Sequence, residues 1–385
     1  MANVFDYLDW RGDISFDGAP FCEVDALILA EIAYVPFEKI KLGRGITIEK
    51  AAEEFFKTDN GAEGNLGLIM PADILPLFER ISKTERFRGV ILRDYVSITD
   101  KDVGEQFSAC TFVFGRRKIY VAFRGTDDSV VGWEENFNMA FKCPVPAQLS
   151  AVNYINKVSR GARSVIAGGH SKGGNLAVYG SSLAVPSVKK KIERVYNFDG
   201  PGFIHGFFDS TEYLEIESRV CMVVPESSVV GMLLEHGKKQ KIVSSAAHGI
   251  WQHDAFSWEV LGSAFKEAGE MTKETLELNR AFSEWLGGLS GDERHEIVSA
   301  FFSVLHSTES STLTELAGNK KIGKAFLSLE KEKRKILVEK LGGFLSSNVG
   351  TLFSTLVKPT IIEKGGELVD AIKGMKRKNE NNADK

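Results

Sequence analysis

The chain has 385 residues, of which 43% are hydrophobic and 26% are charged. These proportions are those of an average globular protein, and they exclude a collagen, a coiled coil and a disordered chain. Lysine and arginine number 48 against 52 aspartate and glutamate residues, which gives a formal net charge of −4. A chain without a basic surplus lacks the electrostatic footprint of a nucleic-acid-binding protein, so we expect no nucleic-acid partner.

The four cysteines are not spaced like metal ligands. They lie far apart and form no CxxC pair, at Cys22, Cys110, Cys143 and Cys221. The first residues include acids where a signal peptide needs cations and then an apolar run. No segment approaches the ~18 consecutive apolar residues of a membrane span. We therefore expect a cytoplasmic protein with free thiols, no integral membrane segment, no metal and no cofactor.

The first 90 residues predict turns and then helices. Residues 1–22 are polar and rich in turn-forming residues. From Glu23 apolar positions recur at helical spacing until Pro36 closes the run. Two further helical segments are expected around residues 48–56 and 71–80.

The middle of the chain predicts strands that alternate with helices. We expect five strands, over residues 107–114, 118–123, 163–167, 194–198 and 219–224. The first two are joined by GRR and predict a hairpin, whereas helical segments over 147–160 and 175–185 flank the third. Strands separated by helices indicate βαβ units and a parallel sheet.

Beyond about Trp258 the strand signals largely stop, and helical runs rich in Lys, Glu and Ser continue to about Ile372. The charged end, KGMKRKNENNADK, is typical of a disordered tail. We therefore expect an α/β domain over 1–262, a helical region over 263–372 and a tail over 373–385. The sequence gives no indication of the oligomeric state.

Residues 169–173 read GHSKG, a G-x-S-x-G sequence directly between a predicted strand and a predicted helix. This context is typical of a nucleophile elbow, a sharp turn that holds a serine in a strained backbone conformation. The two outer glycines are needed because a Cβ there would collide with the neighbouring strand and helix. We expect Ser171 to be a catalytic nucleophile, with a plain glycine-rich turn as the alternative.

A serine nucleophile needs an acid and a base, in the chain order Ser, Asp or Glu, His. Asp199 lies at the end of the next predicted strand, where a parallel sheet presents functional groups. An Asx turn before Pro201 is the alternative role of Asp199. Glu226, just after the following strand, is the competing acid.

Two histidines compete for the role of the base. His248 and His253 both lie in AAHGIWQHDAFSW, after the last sheet-like run. We favour His253, which is farther from the sheet and is framed by Gln252 and Asp254. His170, next to the serine, is expected to pack below the elbow.

An oxyanion hole requires two backbone N–H donors. One is expected from Lys172, directly after the serine, and the other from Thr126 in the FRGT segment that follows an earlier strand. The Thr126 hydroxyl is a further candidate donor, and an ordinary polar turn is the alternative for this residue.

Two segments, AFRGTDDSVVGW and GGHSKGGNLA, resemble the lipase-type α/β-hydrolases. Together with DYLDWRGDISF, FDGPGF, VVPESSVVGMLL and WQHDAFSW, the second segment resembles the bacterial Mbeg1-like proteins, over about residues 1–260. The resemblance implies an α/β-hydrolase fold and hydrolase chemistry without naming a substrate. Pancreatic-type lipases carry their acid where Asp199 lies, whereas fungal-type lipases carry an Asp near the position of Glu226. Lys172 stands where these families have an apolar residue or Gln, which implies a pocket entrance that favours an anionic group.

We therefore expect a serine hydrolase, lipase- or esterase-like, that cleaves a small-molecule or lipid ester or thioester through an acyl-enzyme on Ser171. The competing hypothesis is a hydrolase-like fold retained as a binding or scaffold protein, with the helical C-terminal region as its interface. A third hypothesis is a peripheral lipid-acting enzyme that contacts membranes through those helices.

Overall fold

A computed structural model of the chain describes residues 1–57, 66, 67, 70–237, 239–317 and 326–341. The expected tail over 373–385 and the part of the helical region beyond residue 341 lie outside these described residues. The division of the chain at residue 262 therefore stays a prediction.

An eight-stranded sheet, with its strands in chain order, forms the centre of the molecule. Its strands are β1 (Ile46–Thr47), β2 (Ile91–Asp100), β3 (Glu105–Phe114), β4 (Lys118–Phe123), β5 (Ser164–His170), β6 (Ile192–Phe198), β7 (Val220–Pro225) and β8 (Gln240–Val243). Strands β1 to β4 pair antiparallel, and β4 to β8 pair parallel. A mostly parallel sheet with flanking helices confirms the predicted α/β class.

Helices cover both faces of this sheet. In chain order they are α1 (Val4–Arg11), α2 (Glu23–Ile32), α3 (Ile48–Phe56), α4 (Ile74–Ser82), α5 (Val130–Asn138), α6 (Pro146–Val158), α7 (Lys172–Ser182), α8 (Pro186–Lys189) and α9 (Thr211–Leu214). Because successive side chains of a strand point to opposite faces, β3 contributes to two cores. Phe112 packs with α2 on one face, and Phe107 packs with α6 and α7 on the other.

The N-terminal segment is helical where the sequence predicted turns. Helix α1 begins after Asn3, whose side chain accepts the N–H of Phe5 at 2.9 Å. In return the Asp6 carboxylate accepts the N–H of Asn3 at 2.8 Å, which completes a capping box. Tyr7 is fully buried. Two turns of helix are too short for an apolar period to stand out against so many polar residues.

Helices dominate the described part of the C-terminal region, as predicted. They are α10 (Lys273–Gly287), α11 (Gly291–His306), α12 (Leu313–Ala317) and α13 (Lys331–Ile336). A small hairpin of β9 (Val260–Leu261) and β10 (Ala264–Phe265) precedes them. Residues of α11 and α12, together with Phe326, Leu337 and Val338, form a third apolar cluster that includes Val130 of α5.

Among the helices that the structure describes, none is long and apolar enough to cross a membrane.

Candidate active site

Ser171 occupies the turn between β5 and α7 at a backbone conformation of φ 57° and ψ −134°. A residue with a Cβ seldom adopts a positive φ, and such strain persists only where the surrounding structure enforces it. Here the Ser171 N–H donates to the carbonyl of Phe198 at 2.9 Å, and the Ser171 carbonyl accepts the N–H of Gly174 at 2.9 Å. The turn is therefore held from the neighbouring strand and from the helix.

The glycines around the serine are sterically required. A Cβ on Gly173 would lie 2.1 Å from the carbonyl oxygen of Phe123, and one on Gly169 would lie 2.4 Å from the same oxygen. Gly125, in the loop after β4, approaches the elbow from the other side, since its Cβ would lie 3.2 Å from the Cβ of Ser171. The FRGT segment thus lies against the serine through Gly125.

The structure brings Asp199 and His253 together. The Nδ1–H of His253 donates to Oδ2 of Asp199 at 2.6 Å. Asp199 follows β6 at a φ of 50° and is fully buried, whereas the side chain of His253 is 26% exposed. The hydroxyl of Ser228 donates to the other carboxylate oxygen. Each oxygen of this buried carboxylate therefore has a hydrogen-bond donor.

The competing residues have other surroundings. Glu226 follows β7, where its N–H donates to Val243 O at 3.1 Å and its carbonyl accepts the N–H of Thr272 at 2.9 Å. His248 is exposed at the start of the turn Gly249–His253. Of the two candidate histidines, His253 is the one that hydrogen-bonds to a candidate acid, Asp199.

In the turn after β6, the side chain that accepts a backbone N–H is that of Asn197, whereas the sequence offered Asp199 for this role. The side-chain oxygen of Asn197 accepts the N–H of Gly200 at 2.8 Å. The carboxylate of Asp199 is thus left for His253 and Ser228.

His170 packs beneath the turn that carries His253, with the two rings 4.6 Å apart. Its Nε2 lies 2.8 Å from the carbonyl oxygen of His253, and its Nδ1 lies 3.2 Å from Oε1 of Glu31. Because a carbonyl only accepts, Nε2 carries the hydrogen and Nδ1 is free to accept one. Burial lowers the pKa of His170 well below its usual value, and the nearby His253 lowers it further.

Glu31 is the carboxyl that lies near Nδ1 of His170, and its two buried oxygens have no hydrogen-bond partner among the described residues. Burial raises the pKa of its carboxyl well above the ordinary value, and the nearby Asp254 adds to the rise. A protonated Glu31 facing a neutral His170 leaves no net charge below the turn. Sequence reasoning missed Glu31, although a glutamate in α2, whose residues from Val24 to Ile32 are all buried, is a signal of a special role.

Thr126 ends the FRGT segment directly after Gly125, and Lys172 is the first residue of α7, directly after Ser171. Thr126 is 6% exposed, and its buried hydroxyl oxygen has no hydrogen-bond partner among the described residues. This hydroxyl is thus an unused donor one residue from Gly125, which approaches Ser171.

The side chain of Lys172 is not at a pocket entrance. Its ammonium is fully buried and donates to Oε2 of Glu135 at 2.7 Å, to the carbonyl of Gln106 at 2.7 Å and to the Gln106 side chain at 2.9 Å. The expected preference for an anionic group was therefore wrong. A buried cation needs a carboxylate and full hydrogen bonding, and the partner lies 37 residues away in the chain.

Comparison with known proteins assigns the chain to a family. Residues 81–303, more than half of the chain, match the model of the family described as Mbeg1-like. This chain belongs to the Mbeg1-like family. Among solved structures, the Mbeg1-like chain is similar to one titled "Crystal structure of M37 lipase", with 14% identity and a TM-score of 0.32. That alignment covers 55% of this chain and 70% of the other. No curated protein matches significantly.

Other residues of the Mbeg1-like site escaped the sequence analysis. Ser228 and Glu135 bond to expected site residues across 29 and 37 residues of chain. Ser228 lies in the VVPESSVVGMLL segment, but nothing in that segment connects it with Asp199. Within the part of the chain that the structure describes, no group of three or more His, Cys, Asp or Glu side chains is arranged to hold a metal ion.

Proposed function

We propose that this Mbeg1-like protein is a serine hydrolase that cleaves a carboxylic ester or thioester through an acyl-enzyme on Ser171. The observation that carries the proposal is the 2.6 Å bond from His253 to the buried Asp199. Ser171 is held at a φ of 57°, and the ring of its chain neighbour His170 lies 4.6 Å from the ring of His253. A strained serine, a histidine and a carboxylate that orients this histidine are the components of nucleophilic acyl transfer.

In this mechanism Ser171 Oγ attacks the carbonyl carbon while Nε2 of His253 takes its proton. Asp199 holds the hydrogen on Nδ1 and stabilises the imidazolium that forms. Because His170 stays neutral, the positive charge arises on His253 alone. His253 then returns the proton to the leaving oxygen or sulfur. A water molecule, deprotonated by the same nitrogen, releases the acid and restores the serine.

Negative charge on the carbonyl oxygen is stabilised by the N–H groups of Thr126 and Lys172 and by the Thr126 hydroxyl. The N-terminus of α7 adds its dipole at the same place. The hydrogen bonds of the buried Lys172 side chain also help to hold the backbone N–H of this residue in place. These donors act in the transition state, so we expect their loss to lower kcat more than it changes KM.

A fluorophosphonate probe tests the proposal, because it reacts only with an activated serine. We expect the wild-type protein to be labelled. A folded protein that resists the probe would favour the second candidate, a hydrolase fold that serves as a binding or scaffold protein. The specific observation on that side is the apolar cluster that joins the C-terminal helices to α5.

A further inference from the structure

Helix α5 connects the two expected oxyanion donors to the C-terminal region. The loop that carries Thr126 leads directly into α5, and Glu135 of α5 binds the ammonium of Lys172. On its other side α5 packs against α11, where the ring of Phe137 lies 6.2 Å from Phe301 and 5.7 Å from Phe302. Contacts that fix the position of α5 therefore also help to fix the positions of Thr126 and Lys172.

A short chain segment reinforces this packing. Residues 311–314 run beside residues 128–130, and we call these two segments together the clip. The N–H of Val130 donates to Ser311 O at 3.0 Å, and the N–H of Leu313 donates to Asp128 O at 2.8 Å. Between these bonds lies an antiparallel bridge of Ser129 with Thr312. The clip is thus a small piece of sheet between the oxyanion loop and the C-terminal region.

Thr314 adds the polar core of the clip. Its hydroxyl donates to Oδ2 of Asp128 at 2.6 Å, and its N–H donates to the same oxygen at 3.1 Å. Asp128 is only 7% exposed, so its carboxylate has little access to water. Hydrogen bonds to a buried charged group are among the stronger ones in proteins. Removal of the hydroxyl leaves this carboxylate with a single donor from Thr314.

The position of Thr126 explains why the clip matters. Upstream, the loop is fixed where the N–H of Arg124 donates to Ser108 O at 2.9 Å. Downstream, it is fixed at Asp128 by the clip. Thr126 lies midway between the two anchors, and a displacement of about 1 Å in such a donor is enough to weaken transition-state binding.

We propose that Thr314 is a positioning residue, which through Asp128 holds the oxyanion loop against Ser171. On this account the C-terminal helical region completes the catalytic geometry. The proposal rests on the hydrolase function proposed above. It is a physical coupling through direct contacts, so it is testable at both ends.

The test compares three variants with the wild type. Thr314→Val removes the hydroxyl and keeps the shape, Thr314→Ser restores a hydroxyl, and Ser303→Ala is the matched control. Ser303 lies in the same region, but its hydroxyl donates locally, to Ser299 O at 2.6 Å. Two experiments are done on each protein. Steady-state kinetics give kcat and KM on p-nitrophenyl butyrate, and mass spectrometry gives amide hydrogen exchange over residues 124–130.

We expect Thr314→Val to lower kcat about tenfold and to change KM by less than twofold. This loss is smaller than the 10²–10³ in kcat that follows removal of an entire oxyanion donor. Amide exchange over 124–130 accelerates in this variant. Thr314→Ser behaves as the wild type in both measurements, and so does Ser303→Ala.

Unchanged kcat and unchanged exchange in Thr314→Val would overturn the proposal. So would a Thr314→Ser variant as impaired as Thr314→Val, because the hydroxyl would then not be the cause. If the folded wild type neither hydrolyses the ester nor reacts with the probe, it is the proposed function that fails. The exchange data then decide the positioning claim by themselves: faster exchange in Thr314→Val alone supports it, and equal exchange refutes it.

Discussion

Asp199 is a carboxylate without contact with water, held by two donors. The ring of His253 donates a hydrogen bond to one carboxylate oxygen, and the hydroxyl of Ser228 donates to the other. Such a carboxylate fixes which nitrogen of the histidine carries its hydrogen, and this tautomer leaves Nε2 as the acceptor that a general base requires. Burial strengthens the interaction because the local dielectric is low.

Replacement of Asp199 by Asn tests this role. The amide favours the wrong ring nitrogen as the hydrogen carrier, so we expect ester turnover to fall by roughly 10⁴. Steady-state kinetics on a p-nitrophenyl ester measure the loss, and circular dichroism checks the fold. Glu226→Gln is the matched control, since Glu226 is also an acid after a sheet strand, and it should retain most of its activity. Full turnover in folded Asp199→Asn would remove Asp199 from the mechanism.

Glu31 predicts a pH dependence of stability. Its carboxyl has a raised pKa in the folded protein, whereas the unfolded chain ionises near the ordinary value of 4.5. Between these two values the unfolded state releases a proton that the folded state keeps, so the Glu31 contribution favours unfolding more as pH rises. The penalty begins above the unfolded pKa and stops growing only above the folded one.

Glu31→Gln removes this penalty and keeps the size and shape of the side chain. We expect its melting temperature to exceed that of the wild type at pH 8, by roughly 2–4 °C for each kcal/mol removed, and to match it near pH 4.5. Differential scanning calorimetry across this range measures the difference. A difference that stays constant with pH would show that Glu31 is ionised in the folded protein.

At the scale of elements, the elbow depends on close approach between β4, β5 and α7. The carbonyl of Phe123 occupies the space where Gly169 and Gly173 would carry side chains. Backbone atoms do not yield as a flexible side chain does. The strained backbone of Ser171 is therefore held by β4, β5 and α7. These three elements could not pack so closely if Gly169 or Gly173 were a larger residue.

Gly173→Ala should consequently destabilise the protein. The added Cβ lies 2.1 Å from a backbone oxygen, and overpacking of this kind costs typically 1–3 kcal/mol or more. Gly161→Ala is the control, because a Cβ there meets nothing within 4 Å. Thermal unfolding should place Gly173→Ala well below the wild type and Gly161→Ala beside it. Equal melting temperatures for both variants would mean that the elbow has room to relax.

The elements that the sequence predicted well are those with a strong local pattern. The hairpin of β3 and β4 and the strand that leads into Ser171 have compact β-rich runs that end at glycines. Strand β2 was missed because half-exposed residues alternate weakly along it. The chain order of a triad favoured Asp199 and His253 and left Glu226 and His248 as alternatives. The burial of Lys172 depends on Glu135, which no local pattern connects with it.

At the scale of the whole molecule, the C-terminal helices connect to the eight-stranded sheet through α5 and the clip. The family match over 81–303 likewise runs from before β2 into α11, across the boundary that we expect near residue 262. That boundary, a cytoplasmic location and contact of the C-terminal helices with a lipid surface remain predictions. The described contacts favour a single working unit, because α5 bonds to Lys172 on one side and packs on α11 on the other.

The most direct test of the central claim is the mass of the protein after reaction with a fluorophosphonate, with the modified residue located by peptide mapping. We predict one adduct per wild-type chain, on Ser171. Ser171→Ala should show none, and His253→Ala should react orders of magnitude more slowly, because the serine loses its base. An unlabelled folded wild type, or an adduct that persists in Ser171→Ala, would contradict the account.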